Sequence, residues 1–234
     1  MSSKETIASP QPPSRAKGRF FFLFMFLLVH LVLYPYEVQG MRSLWFRLLG
    51  FLITIASIYA VSSRRLTWII ALIFAVPVVL HRTVFAESTA SKLQLAGLIL
   101  SAAFDVFLVA VLFQRVFRAR EVTSQAIYGA LSIYLILGLT FARLYTFLVV
   151  LQPTTFYLDP VLNRHTVPDR SDAIYYSFAT MTTVGATGIS PISAQARSFT
   201  IIEAILGILY LGVLVAGLLG MYRPGSQGDS AGAQ

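Results

Sequence analysis

Residues 180–191 read Thr180-Met181-Thr182-Thr183-Val184-Gly185-Ala186-Thr187-Gly188-Ile189-Ser190-Pro191. An amphipathic stretch, Ala173 to Met181, precedes them, and an apolar span over 198–222 follows. The rest of the chain is built for lipid. Of its 234 residues 56% are hydrophobic and only 12% charged, and the mean hydropathy is +0.73. A soluble domain carries roughly twice that charge. The net charge of +8 does not form one basic face. The lysines and arginines cluster at the ends of apolar spans, which membrane topology explains and which excludes nucleic-acid binding as a class. There are no cysteines, so disulfides and thiolate metal sites are excluded and the redox compartment is not legible.

Outward from the opening segment, apolar runs fall at 19–36, 42–62, 66–85, 93–114, 125–151 and 198–222. Most approach the roughly 20 residues that a helix needs to cross a hydrocarbon core. Short polar breaks separate them: Glu37 to Met41, Ser62 to Arg65, Ala86 to Lys92 and Arg115 to Ser124. Residues 1–18, with Pro10, Pro12, Pro13 and Gly18, read as a disordered cytoplasmic tail, as do residues 224–234. Six spans put both termini on one side. With the termini cytoplasmic, the inside holds Lys4, Arg15, Lys17, Arg19, Arg64, Arg65, Arg115, Arg118, Arg120 and Arg223, against Arg42, Arg82, Lys92, Arg164, Arg170 and Arg197 outside. That bias has the positive-inside sign, and it places 152–197 outside. A competing reading makes the first span a signal peptide with Val38-Gln39-Gly40 as a loose cleavage site, leaving five spans.

The quoted segment resembles the selectivity filter of the potassium-channel pore family, T-T-V-G-Y-G-D-I-x-P. Thr182, Thr183, Val184, Gly185, Ile189 and Pro191 agree with it, and Ala186, Thr187 and Gly188 replace Tyr, Gly and Asp. The resemblance implies an all-α integral membrane fold, with six transmembrane helices and a re-entrant pore helix and filter loop between the fifth and sixth. It implies a pore domain over 125–223 behind a four-helix membrane domain over 19–124, and a homotetramer, because four filter loops line one pore. A cation filter must replace a water shell with rings of oxygens. The resemblance assigns those rings to Thr183, Val184, Gly185, Ala186 and Thr187. It makes Tyr175, Tyr176 and Thr180 the pore-helix support, Gly207 the hinge, and Ile208, Leu211, Val215 and Leu219 the apolar pore lining. Glycine at 207 reads equally as a packing residue. Ser171 or Asp172 is positioned to cap the pore helix. Thr187 stands where the family uses a glycine at positive φ, a strain of roughly 1–3 kcal/mol for a β-branched residue. The outer filter is therefore expected to relax and potassium to be favoured only weakly over sodium.

The first four spans do not form a voltage sensor, because residues 93–114 contain no arginine and only Asp105 as a charge. Asp105 reads either as an ion or proton site or as a hydrogen-bonded packing residue. Two readings stand for Arg143 in the fifth span: pairing with Glu203 of the sixth, because those helices surround the pore in the family, or snorkelling to an interface. His30, His81 and His165 lack ligand spacing, and no catalytic constellation is present, so no enzyme, metal or cofactor is expected beyond permeant potassium or sodium. The basic clusters at span ends suit lipid headgroups, anionic ones included, in a cell membrane. Two alternatives stand beside the channel: a non-conducting pore-fold subunit with an assembly or regulatory role, and a small polytopic transporter with Asp105, Arg143 and Glu203 as its polar core.

Overall fold

The computed structural model describes residues 18–38, 44–61, 65–84, 91–117, 123–163 and 165–221. Both expected tails except Gly18 lie outside these residues, as do Lys4, Arg15, Lys17, Arg42, Arg64, Arg118, Arg120, Arg164 and Arg223 of the charge bias. Each apolar run becomes a helix: α1 Arg19–Val38, α2 Leu44–Val61, α3 Arg65–Val84, α4 Ser91–Phe117, α5 Ser124–Leu151 and, after a short α6 Arg170–Met181, α7 Ala194–Met221. Backbone groups in hydrocarbon must be satisfied internally, which is why apolar length alone fixes these elements. Four helices are long and apolar enough to cross a membrane, over Arg19–Tyr36, Lys92–Val116, Ser124–Leu151 and Ala194–Gly217, while α2 and α3 hold shorter apolar stretches. The chain is thus a mostly helical membrane protein.

Helices α1 to α4 pack in sequence, and both α1 and α4 rest against α5. On α4, Phe104, Leu108, Leu112 and Val116 form a buried stripe at four-residue spacing, which meets Ile133 and Ile136 of α5. On α2 and α3 several buried positions are small, Ala56, Ser57 and Ala60, Ala71 and Ala75, which lets backbones approach where lipid supplies no hydrophobic drive. Helix α1 buries Leu23 and Leu27 in the same core.

The ion pair inside the bundle fits neither reading of Arg143. Arg143 of α5 pairs with Asp105 of α4, not with Glu203. Arg143 and Tyr145 are two residues apart, about 200° around the helix, and Tyr145 is the one that faces Glu203, with Oη 2.6 Å from its carboxylate. Arg143 therefore points the other way, to α4.

A small β ribbon also departs from a purely helical plan. After a 3-10 turn at Pro153–Thr155, β1 Phe156–Leu158 runs antiparallel to β2 Ile189–Pro191, with Tyr157 opposite Ser190. The ribbon closes a second core of Tyr145, Val149, Phe156, Leu158, Tyr176 and Ile189. In it the rings of Tyr145, Phe156 and Tyr176 meet edge to face, with centroids 5.0 to 5.5 Å apart. Helix α6 is held between α5, this ribbon and α7.

Candidate functional site

Helix α6 starts at a cap on Asp169, two residues before Ser171 and three before Asp172. Asp169 accepts from Asp172 N at 2.9 Å, and Asp172 Oδ2 accepts from Asp169 N at 2.8 Å, a reciprocal capping box. Its buried face is Ala173, Ile174, Tyr176, Ser177, Ala179 and Met181. The chain then turns back over the helix end. Thr183 N donates to Thr180 O at 3.0 Å and Gly185 N to Ala179 O at 3.1 Å, so carbonyls left open by the last turn are closed by the loop itself. Thr183 sits at φ 61, the left-handed position that normally ends such a turn with glycine. Thr182, Thr183, Val184 and Gly185 are exposed, Val184 to 81%: this segment touches little of its own chain.

The outer half is anchored by different bonds. Ala186 packs against the second core. Thr187 avoids positive φ, which falls instead on Gly188 at φ 82. Thr187 N donates to Tyr175 Oη at 3.0 Å, so a tyrosine reaches up from α6 to a loop whose own residue at 186 is too small to reach down. Gly188 O accepts from Asp159 N and Asn163 Nδ2, each at 2.9 Å. A side chain at 188 would place its Cβ 3.0 Å from Asn163 Nδ2 and 3.2 Å from Leu162 Cβ. Asp159 and Asn163 carry no sequence signal for this role beyond their place in the loop.

Behind the loop lies a polar network. Tyr176 Oη meets Thr200 Oγ1 at 2.7 Å, Tyr145 Oη donates to Glu203 at 2.6 Å, and Ser177 Oγ contacts both Glu203 Oε1 and, at 2.7 Å, Gly138 O. Thr180 is half-buried one turn from Tyr176 and bonded to it. On α7, a Cβ at Gly207 would lie 2.5 Å from Met181 O, so this residue type lets α7 cross directly over the end of α6. Ile208, Leu211 and Val215 are exposed, whereas Leu214 packs into the main core. Leu219 lies in α7, and its side chain is outside the described residues.

One of the three histidines, His165, has carboxylate neighbours. His165 Nε2 lies 2.5 Å from Asp172 Oδ2, and this bond raises the His165 pKa. His165, Asp169 and Asp172 place ligand-type atoms within 4.8 Å of one another, but both carboxylates already serve the α6 cap.

The model of an ion-channel family matches residues 129–223. The matched stretch begins in the second turn of α5 and takes in the ribbon, α6, the Thr182–Gly188 loop and α7, so every residue of the site lies within it. The match supports an ion channel for this part of the chain, and it speaks against an enzyme. No curated protein and no solved structure matches the chain.

Proposed function

We propose that this chain is the subunit of a potassium-channel-like cation channel, in which four copies surround one axis and pass monovalent cations along the backbone of Thr183, Val184, Gly185, Ala186 and Thr187. The observation that carries the reading is the exposed Thr182–Gly185 backbone set at the C-terminal end of a capped, buried α6, inside a region matched to ion channels. The negative end of that helix dipole favours a cation there. Helix α7 supports assembly of several copies, because about half of the surface of Ile201, Ile205, Ile208, Val213 and Val215 is left uncovered by their own chain. The protein spans the cell membrane six times with both termini cytoplasmic, and the α6 loop enters from outside. Ile208, Leu211, Val215 and Leu219 line an apolar lower pore that closes by dewetting. The reaction calls for no cofactor other than the permeant ion.

Discrimination between potassium and sodium is weak in this reading. The outer rings are displaced because the left-handed residue sits at Gly188 rather than at 187, and fewer aligned rings leave hydrated sodium a smaller penalty. Purified protein in liposomes, with reversal potentials under potassium/sodium bi-ionic conditions, tests both statements. We expect a cation flux with a reversal potential near zero. Absence of any flux favours the non-conducting subunit, and a sharply potassium-selective current overturns the weak filter.

A further inference from the structure

We infer that Glu203 is a neutral carboxylic acid whose single proton latches α5, α6 and α7 together behind the filter, making it a positioning residue for the loop; the inference rests on the channel reading above. Glu203 is fully buried in its own chain. Its two oxygens have one partner each, Tyr145 Oη on Oε2 and Ser177 Oγ on Oε1. Ser177 Oγ also lies 2.7 Å from Gly138 O. A serine hydroxyl has one proton to donate, and neither a backbone carbonyl nor a carboxylate has any. If Ser177 gives its proton to Glu203, then Ser177 Oγ and Gly138 O face each other as two acceptors at bonding distance. If Ser177 gives it to Gly138 O, the contact with Oε1 requires a proton from the acid.

Only the second arrangement satisfies every atom. Tyr145 O–H donates to Oε2, Oε1–H donates to Ser177 Oγ, and Ser177 O–H donates to Gly138 O, a directed chain from α5 through α7 and α6 back to α5. The surroundings agree. Among the described residues the titratable groups facing Glu203 are phenols, Tyr134 and Tyr145 on α5 and Tyr176 on α6. Arg143, the cation that one reading gives it, pairs with Asp105. A buried carboxylate without a cation is strongly disfavoured, whereas a buried acid with its bonds made is not. Ser177 lies six residues before Thr183, on the rigid helix that delivers the loop. Where this bond holds α6, it sets where the filter backbone begins.

The neutral acid makes a prediction that an ionised one does not. Glutamine offers an N–H donor toward Ser177 and a carbonyl toward Tyr145, the same pattern as the acid. The experiment uses the full chain in liposomes. In the infrared difference between wild type and Glu203→Gln at neutral pH, the variant should lack a carboxylic-acid C=O stretch that wild type carries at both mildly acidic and neutral pH. Loss of carboxylate stretches instead overturns the inference. The potassium/sodium flux ratio of Glu203→Gln should stay within about twofold of wild type, while Glu203→Ala should move it, or the yield of assembled oligomer, by about tenfold, as for a lost buried bond. An unchanged Glu203→Ala overturns the positioning role. Should that variant fail to assemble, Ser177→Ala decides the matter, because it keeps the acid and removes its acceptor. The C=O stretch must then shift, and a band left in place overturns the latch. If wild type carries no flux at all, the channel reading fails while the infrared result still answers for Glu203.

Discussion

Thr183 carries a conflict that a single substitution exposes. It ends α6 at φ 61, where a β-branched side chain is strained by roughly 1–3 kcal/mol, yet the channel reading needs its hydroxyl as an oxygen ring. Glycine at this position relieves the strain and also loosens the unfolded chain, so the net gain is about 1 kcal/mol or less. We expect Thr183→Gly to raise the midpoint of thermal unfolding slightly and to reduce cation flux, a trade of activity for stability. A lowered midpoint removes the strain argument. Position 188 behaves in the opposite sense. Gly188→Asp puts a side chain at φ 82 and within 3.2 Å of Leu162 and Asn163, so alone it should destabilise by about 1–3 kcal/mol. The triple change Ala186→Tyr, Thr187→Gly, Gly188→Asp supplies a glycine at 187 that can take over the left-handed conformation. It should therefore unfold later than Gly188→Asp alone and shift the bi-ionic reversal potential toward potassium selectivity. A triple variant no more stable than the single one means that the Asn163 bracket, and not the position of the glycine, fixes the outer loop.

Helix α6 is capped by Asp169 and Asp172, and Asp172 also holds His165. The bond raises the His165 pKa, so the folded state binds a proton more tightly than the unfolded chain. Its contribution is complete below the ordinary imidazole value of 6.5 and is lost as pH rises through the raised value. The ring side chain is 44% exposed, which holds the effect below about 1 kcal/mol. The unfolding midpoint of wild type should fall over that window and the midpoint of His165→Gln should not; parallel curves for the two would show that the pair contributes nothing. The Asp105–Arg143 contact joins α4 to α5 and is far less exposed. Removing one member takes the opposite charge away from the other inside the bundle, a loss of about 3–5 kcal/mol. Asp105→Asn and Arg143→Gln should each destabilise strongly and the double variant less than their sum in unfolding measurements, whereas additive losses would mean that the two groups do not interact. These elements also mark what could be read in the chain. The long helices were legible because apolar length suffices to specify a helix in lipid, and the likeness of the second half to ion channels because Thr182 to Gly185 carry a pattern of that kind between two apolar spans. The ribbon was not, since three residues show no alternation and their pairing depends on a turn at Gly188. The partner of Arg143 was open in the sequence until Tyr145, on the opposite side of α5, was seen to claim Glu203.

At the scale of the whole molecule the proposed channel raises the question of what helices α1 to α4 are for, and the charges among the described residues argue against electrical sensing. One charge crossing the membrane field is worth about 2.3 kcal/mol per 100 mV, and steep gating sums several such charges in each subunit. Among the described residues of α4 the basic side chains are Lys92 and Arg115, one at each end, where little of the field remains to be crossed. Arg115 is tied to α2 through Ala60 O at 2.6 Å. The mid-span charge, Asp105, is balanced by Arg143 of the pore-side helix. Sliding α4 along its axis would break both contacts and carry almost no net charge through the field. The buried stripe of Phe104, Leu108 and Leu112 against α5 opposes the same movement, because each knob would have to leave its groove. In the proposed channel, helices α1 to α4 are thus expected to act as a fixed collar on α5. In planar-bilayer recordings with voltage steps of both signs, the current should follow the driving force, with open probability changing less than about tenfold per 100 mV, the response of a single charge at most. A steeper dependence that survives Arg115→Gln would require gating charge carried elsewhere, and the collar would have to move after all.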